Sequence, residues 1–403
     1  MNTYALLTRD KKYRNYWLCQ IISNIGSMMQ NATLSWMALQ MTGSGERLGF
    51  IMVLLYLPAL VLAIPAGVLA DRYPKRNLLL FTQGSMMLAA GVMAMLLHED
   101  KIVYPHVAVF ALIFGCLAAI GNPIRLAFNV EMASQGNSAQ AVSLNAMSFN
   151  LARLLGPSIA GLIILNWGVF GAFCANAISY IPLLLFVGFL PRGQASASGK
   201  GSPFKQAMEG MQYVRNEPVA LNIVLLMSWL GIFAINWNTV VPAYARLVLH
   251  LGAEGYGFIL SCVGAGALCG SVWQSMRREM KPRQLLWSGA VIGLVYLALM
   301  LRLEPPELAG LLLVAGFATV VTLTTANSAL QLLAPRHLSG RMMSIYLLIV
   351  FGTNPLGGYL AGLMFEHFGG RIACGLLGGI TLTGVLALAL RKWTEHIEDR
   401  HKH

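Results

Sequence analysis

Twelve apolar stretches of about 20 residues each constrain this chain more than any other feature of its sequence. The hydrocarbon core of a bilayer is about 30 Å thick, so a helix needs about 20 apolar residues to cross it. Because lipid offers no partners to backbone polar groups, such stretches must be helical. We therefore predict an all-α membrane protein with spans near residues 14–38, 47–70, 77–97, 103–124, 140–165, 168–190, 219–241, 255–276, 284–302, 308–331, 340–365 and 371–391.

The composition and the placement of charge agree with this prediction. Hydrophobic residues make up 57% of the 403 residues and charged residues only 11%, whereas soluble domains carry about 25% charged residues. Of the 28 lysines and arginines, 21 lie on one side of the predicted spans and five on the other. This asymmetry follows the positive-inside rule and places both termini in the cytoplasm. The net charge of +12 is therefore a mark of orientation and not of nucleic-acid binding.

The chain divides once, where glycine, serine, lysine and arginine replace the apolar residues. We predict a six-helix bundle over residues 1–190, a cytoplasmic linker over 191–218, and a second six-helix bundle with a short cytoplasmic tail over 219–403. A weak internal repeat relates Ala160-Gly161 to Ala361-Gly362 and supports two pseudo-symmetric halves. The linker alternates apolar and charged residues, which favours an amphipathic helix on the membrane surface. A solvated connector is the alternative.

A charged turn separates the second and third predicted spans. It runs from Gly67 through Asp71 and Arg72 to Arg76, with Pro74 near its centre. A glycine at this point lets two membrane helices approach closely, and an aspartate suits the positive N-terminal end of a neighbouring helix. An ordinary positive-inside turn is the simpler interpretation, but the order of glycine, acid and basic residues favours a gating element.

This segment resembles the loop between helices 2 and 3 of the major facilitator superfamily, with proline where a glycine is usual. The resemblance implies twelve transmembrane helices in two bundles and transport of a small molecule by alternating access. It also implies that Asp71 faces the start of helix 11 near Arg341, and that Arg76 pairs with an acid at the inner end of helix 4. Glu131 is the candidate for that acid.

A finer resemblance spans nearly the whole chain and points to the branch that contains enterobactin exporters and macrolide-efflux-like proteins. The matching segments are Trp17 to Gln30, Leu39 to Gly45, Asn122 to Met132, Ala141 to Asn145 and Phe149 to Pro157. The resemblance implies a bacterial inner-membrane exporter. We expect a siderophore as its substrate and proton exchange as its energy source. Drug or macrolide efflux, and siderophore uptake by the same fold, are the alternatives.

The fifth predicted span contains a partial match to the helix-5 signature of antiporters. Gly156, Pro157 and Gly161 are present, while Ala152 stands where a glycine is usual. Proline kinks a membrane helix, and small residues allow close helix packing. The family interpretation is that this element seals the outer side of exporters, which favours efflux; a simple packing kink is the alternative.

Polar residues within the apolar spans are the candidates for a substrate cavity, because ionisable groups inside a membrane are costly and usually functional. Arg153 lies deep in the fifth span and is the stronger arginine candidate for contacting an anionic or oxygen-rich solute. Arg125 lies nearer the inner face, where it could instead neutralise Glu131 or bind lipid phosphate. About half of the other candidates could serve as hydrogen-bonding contacts between helices. The full set is Asn24, Gln30, Asn31, Arg125, Asn145, Arg153, Asn236, Trp237, Asn238, Thr325 and Asn327.

Several activities are excluded by what the sequence lacks. There is no phosphate-binding loop for ATP hydrolysis and no spacing of histidine, cysteine or acids typical of a metal site. We therefore expect no enzyme activity, no cofactor and no resident metal. The expected partners are a small molecule, anionic or a metal chelate, and membrane lipid, with no nucleic acid and a monomeric protein. No predicted span carries an acid near its middle, so Asp71 and Glu131 are the candidates for proton exchange.

Overall fold

The computed structural model describes residues 5–133, 137–191, 211–277, 283–334 and 339–391, and these residues are almost entirely helical, with no strand. The first half contains α1 (Ala5–Arg9), α2 (Lys11–Thr42), α3 (Gly45–Arg72), α4 (Lys75–His98), α5 (Tyr104–Met132), α6 (Ser138–Ser179) and α7 (Ile181–Gly188). In the second half, α8 is described over residues 211–216. It is followed by α9 (Pro218–Phe233), α10 (Trp237–Ala243) with a π-helical turn (Tyr244–Val248), α11 (Ala253–Ser275), α12 (Arg283–Ala298), α13 (Pro305–Leu333), α14 (Ser339–Phe368) and α15 (Gly370–Ala389).

The helices are consistent with twelve spans. Among the described residues, nine helical segments are long and apolar enough to cross a membrane. Helix α2 is 32 residues long but carries more polar residues, and α12 is a shorter apolar helix. The longest segment, Gln140–Gly188, counts as two spans because it contains a break. This break is at Gly168, whose φ of 68° and ψ of −175° lie outside the helical region.

The chain reverses direction at Gly168, and both arms of α6 lie along α2. Before the break, Asn145 bonds to Gln20 and Ser148 bonds to Asn24. Residue numbers increase in the same direction along both helices, so the first arm runs parallel to α2. After the break, Asn176 bonds to Gln30, and four residues later the hydroxyl of Tyr180 lies 3.1 Å from that of Ser27. The second arm therefore runs antiparallel to α2. A positive φ explains why glycine occupies this turn.

Exposed apolar side chains form a lipid-facing stripe on α4. Phe81, Leu88 and Met95 recur every seven residues and are 65%, 68% and 65% exposed. Residues seven apart lie on the same face of a helix. A stripe of this kind would be unfavourable in water and is expected against lipid.

Each compact unit is built mainly from one half of the chain and takes one short segment from the other half. Unit 1 comprises Met1–Thr42, Leu54–Lys200 and Leu251–Ser261, and unit 2 comprises Gly43–Val53, Gly201–His250 and Cys262–His403. In unit 1, α4 packs on α5 and α6, while α2 packs along α6. In unit 2, α12 packs on α13 and α15, while α9 packs on α14. We call the two short segments exchanged segments. They are Gly43–Val53, which contains the first turns of α3, and Leu251–Ser261, which contains the first turns of α11.

The predicted amphipathic helix of the linker falls largely outside the described residues. Its last part, α8, has Val214 buried, and the hydroxyl of Tyr213 donates to the carbonyl of Leu333 at 2.7 Å. Met211, on the same short helix, is exposed. This end of the linker is therefore held against α13 of unit 2.

Candidate functional site

A buried chain of hydrogen bonds in unit 1 brings together two of the predicted cavity residues. The guanidinium of Arg125 on α5 donates from Nη1 to the Oδ1 atom of Asn24 on α2. Asn24 in turn donates from Nδ2 to the hydroxyl of Ser148 on α6 at 2.9 Å. Arg125 is 3% exposed and Asn24 is 1% exposed. The three helices are thus tied together around a buried positive charge.

Further polar contacts continue along α2 on both sides of this chain. Gln20 donates to Asn145 Oδ1 at 2.6 Å, and Asn176 donates to the Oε1 atom of Gln30. The Oδ1 atom of Asn31 is buried and without a partner. Sequence reasoning selected Asn24, Gln30, Asn31 and Asn145 but omitted their partners. The omitted ones are Gln20, the partner of Asn145, and Asn176, the partner of Gln30.

The spacing of polar residues in the sequence could have identified the whole polar face of α2. Gln20, Asn24, Ser27 and Gln30 are spaced three to four residues apart and therefore lie on one side of the helix. All four make side-chain hydrogen bonds inside unit 1. A polar stripe on an otherwise apolar membrane helix marks the side that faces protein or a cavity.

The two arginine candidates for the cavity have different environments. Arg125 is buried, whereas Arg153 on α6 is exposed. A buried guanidinium needs a compensating partner inside the protein. The sequence ranked Arg153 above Arg125 as a contact for an anionic solute, and this ranking stays a prediction; the burial of Arg125 makes it a candidate too.

Two of the five predicted cavity residues of unit 2 bond to neighbouring helices. Trp237 donates from its indole nitrogen to Thr319 at 2.9 Å and stacks on Tyr296 with ring centroids 4.9 Å apart. Thr325 accepts a bond from Gln274 at 2.9 Å. These contacts fit the alternative role of hydrogen bonding between helices.

The asparagines of unit 2 are less uniform. Asn236 is buried, donates to the carbonyl of Ile232 at 2.6 Å, and leaves its Oδ1 atom without a partner. Asn327 accepts from Gln331 on its own helix at 2.8 Å. Asn238 is exposed. Asn236 therefore keeps an unused acceptor inside unit 2.

The charged turn between α3 and α4 makes different pairs from those expected. The surroundings of Gly67 and the side chains of Asp71 and Arg341 lie outside what the structure describes, and Arg72 is exposed. Glu131 pairs with Lys75, with 3.1 Å between Nζ and Oε2, so its predicted pairing with Arg76 was wrong. Consecutive helical residues point about 100° apart, which explains why only one of the two basic side chains reaches α5.

Arg76 instead binds the end of α7. Its Nε atom donates to the carbonyl of Val187 at 3.0 Å, and Nη2 donates to the carbonyl of Gly188 at 2.6 Å. The last carbonyls of a helix have no partners within the helix. Arg76 supplies those partners and joins the first turn of α4 to the end of α7.

The antiporter-like element of α6 packs closely on the exchanged segment of unit 1. A Cβ atom on Gly257 would lie 2.8 Å from the carbonyl oxygen of Pro157 and 3.0 Å from the Cα atom of Gly161. The hydroxyls of Ser158 and Ser261 are hydrogen-bonded. Gly156 packs against Met28 on α2, where an added Cβ atom would lie 2.7 Å from the Cβ atom of Met28. Glycines therefore allow backbone contact here.

Unit 2 has a corresponding contact at the first turn of α3. The backbone N–H of Gly45 donates to Glu366 on α14 at 2.8 Å, and Tyr359 donates to Glu46 at 3.3 Å. A Cβ atom on Gly49 would lie 3.0 Å from the carbonyl oxygen of Gly358. Glu366 is exposed, and its carboxylate accepts this bond from the unpaired start of a helix.

A family model described as a transmembrane secretion effector of the major facilitator superfamily matches residues 2–401. This chain belongs to that family. It is a multi-pass membrane transporter of a small molecule and not an enzyme. Among the described residues, no group of three or more histidines, cysteines or acids could hold a metal ion.

Curated relatives of this transporter are similar at low identity. The staphyloferrin A transporter of Staphylococcus aureus is 23% identical over 86% of this chain and 87% of the relative. The multidrug efflux pump Tap of Mycolicibacterium fortuitum is 24% identical over 87% and 88%. The enterobactin exporter EntS of Escherichia coli O1:K1 / APEC is 23% identical over 95% and 92%.

Solved structures support the same fold. A nucleoside transporter, NupG, superposes with a TM-score of 0.75 at 13% identity, covering 94% of this chain and 98% of that one. A D-xylose-proton symporter superposes with a TM-score of 0.70 at 14% identity, covering 94% and 98%. At such low identity these neighbours indicate the major facilitator fold and nothing about the substrate of this transporter.

Proposed function

We propose that this transporter exports a siderophore or a similar small amphiphilic chelator by alternating access. The observation that carries the proposal is the buried, positively charged Arg125 within an amide-rich face of α2, α5 and α6. Such a site suits molecules rich in anionic oxygen, and siderophores bind iron through groups of that kind. The relatives named as a staphyloferrin A transporter and an enterobactin exporter favour the same substrate class.

The proposal includes the orientation and organisation of the chain. The protein lies in a bacterial inner membrane as a monomer with both termini cytoplasmic, and the two six-helix bundles, 1–190 and 219–403, enclose the transport path. The asymmetry of lysine and arginine supports this orientation. In this orientation the close packing at Gly156, Pro157 and Gly161 lies toward the outer side. It closes the transport path on that side when the substrate enters from inside.

Iron-starved cells that lack the gene should retain a chelator that the parent strain secretes. Mass spectrometry of the medium and of cell extracts measures this directly, and a plasmid carrying the intact gene should restore secretion. Unchanged chelator secretion, in a strain verified to lack the protein, would exclude the export of that compound.

Multidrug efflux is the second candidate function, because a relative of similar identity is named as a multidrug efflux pump. The same pair of strains distinguishes the two functions. Increased sensitivity to chemically unrelated cationic drugs, with unchanged chelator secretion, would favour drug efflux. Loss of chelator uptake in the deletion strain would favour import.

Proton exchange is proposed to involve Glu131, which lies at the inner end of α5 beside Lys75. Its side chain is 41% exposed, so a proton can reach it from water. We expect Glu131→Gln to remove most of the pH dependence of transport in vesicles. Glu99→Gln is a matched control, because Glu99 pairs with Lys101 at 2.6 Å near the other end of α4. An unchanged pH profile in Glu131→Gln would exclude this role.

A further inference from the structure

Arg125 carries a buried charge that has no acidic partner in the described part of the chain. The ion pairs there join Lys75 to Glu131 and Lys101 to Glu99, and neither includes Arg125. Its recorded hydrogen bond goes to the neutral amide of Asn24. Removing one partner from a buried ion pair leaves an uncompensated charge that is strongly destabilising. Arg125 is therefore in a state that an incoming anion would relieve.

Two buried hydrogen-bond donors in this region have no partner among the described residues. The Nε atom of Arg125 and the hydroxyl of Tyr16 are both buried and make no hydrogen bond in the structure. Tyr16 is 0% exposed, and its ring packs on that of Phe128, one helical turn after Arg125 on α5, with centroids 5.5 Å apart. Two unused donors beside a positive charge suit an acceptor that carries negative charge.

We propose that Arg125 and Tyr16 form a subsite for one anionic oxygen group of the transported molecule, a carboxylate or a phenolate. The ligand would accept from the unused Nε atom of Arg125 and from the hydroxyl of Tyr16, while Nη1 continues to donate to Asn24. The proposal rests on the transport function and specifies which chemical group of the substrate is recognised. Arg125 is the anchor, and Tyr16 supplies a directional bond.

Binding of salicylate and salicylamide to the purified full-length protein in detergent tests the subsite. The two probes have nearly the same shape and differ in one carboxylate. Isothermal titration calorimetry in chloride-free buffer should show that salicylate binds at least about tenfold more tightly than salicylamide. Arg125→Gln should remove the preference, and Arg125→Lys should keep part of it. Arg302→Gln, which changes an exposed arginine outside the proposed cavity, is the matched control and should leave the preference unchanged.

Tyr16→Phe keeps the test decisive if Arg125→Gln does not fold. The hydroxyl of Tyr16 has no partner in the structure, so its removal costs the fold little. This variant should weaken salicylate binding several-fold and leave salicylamide binding unchanged. Two results would overturn the subsite: a salicylate preference that survives in both Arg125→Gln and Tyr16→Phe, or one that is lost in Arg302→Gln.

An inorganic anion is the other possible source of the charge. Titration with sodium chloride distinguishes the two, because chloride that binds through Arg125 while salicylate does not would also overturn the proposal. The outcome is independent of the secretion experiment. A preference for salicylate without chelator retention in deleted cells leaves the subsite standing and rejects the siderophore. Chelator retention without the preference does the reverse.

Discussion

Replacing Asn24 with aspartate is expected to stabilise the protein and to stop its transport. The new carboxylate would lie where Asn24 Oδ1 now accepts the bond from Arg125. It would supply the missing partner of a buried charge, and the reverse change in other proteins costs on the order of 3 kcal/mol. The internal carboxylate would also neutralise the charge that the substrate anion is proposed to bind. We expect a higher unfolding temperature and at least about a tenfold loss of transport rate.

The opposite signs of the two effects make this experiment specific. Unfolding followed by tryptophan fluorescence measures stability, and substrate efflux from vesicles measures activity. Asn145→Asp is the matched control, because Asn145 bonds to Gln20 and not to a cation. We expect it to lower stability, since a carboxylate is then added without a positive partner. An Asn24→Asp protein that transports at the original rate would contradict the role of Arg125 in binding.

A disulfide between positions 158 and 261 is expected to stop transport reversibly. The hydroxyls of Ser158 and Ser261 are in contact where α6 meets the exchanged segment of unit 1. Under the proposed alternating access, with this contact closing the outer side, the contact must separate once in every cycle. In the double variant Ser158→Cys with Ser261→Cys, oxidation should reduce transport at least about tenfold, because the cycle rate falls with the uncrosslinked fraction. A reductant should restore it.

The six native cysteines must first be replaced, since Cys262 adjoins Ser261. Each single cysteine variant in that background is the control and should transport equally well with and without oxidant. Crosslinking is measured by a shift in electrophoretic mobility after cleavage of the linker between the halves. Full transport by a completely crosslinked protein would show that this contact stays closed during the cycle.

The helices could be predicted from the sequence because their cause is local. A run of about 20 apolar residues must be helical in lipid whatever lies next to it, so the two arms of α6 could be predicted on either side of Gly168. The family was also readable from residues in one segment, Gly67 to Arg76. These features depend on the order of residues along the chain.

The pairs that build the site could not be predicted, because they depend on the facing of single side chains. Lys75 and Arg76 are neighbours with the same charge, yet one reaches Glu131 and the other reaches α7. Arg125 and Arg153 both lie in apolar spans, and only one of them is buried. A difference of about 100° around α4 separates Lys75 from Arg76. For Arg125 and Arg153, the deciding factor is which side of its own helix each residue occupies.

The exchanged segments were also beyond the sequence. The contact of Gly257 with Pro157 and that of Gly49 with Gly358 join residues from opposite halves of the chain. Glycine-rich membrane helices have many possible partners of similar shape. The choice among them is made by the whole assembly of helices and leaves no local pattern.

The bonds of Arg76 give the connector between the halves a fixed starting point. Helix α7 is the last helix of the first half, and its final carbonyls are held by a side chain from the first turn of α4. The start of α4 and the end of α7 are therefore tied together. A lysine has a single charged nitrogen on a flexible stem and could not hold two carbonyls with the same rigidity. Arg76 thus fixes the place from which the chain continues toward its second half.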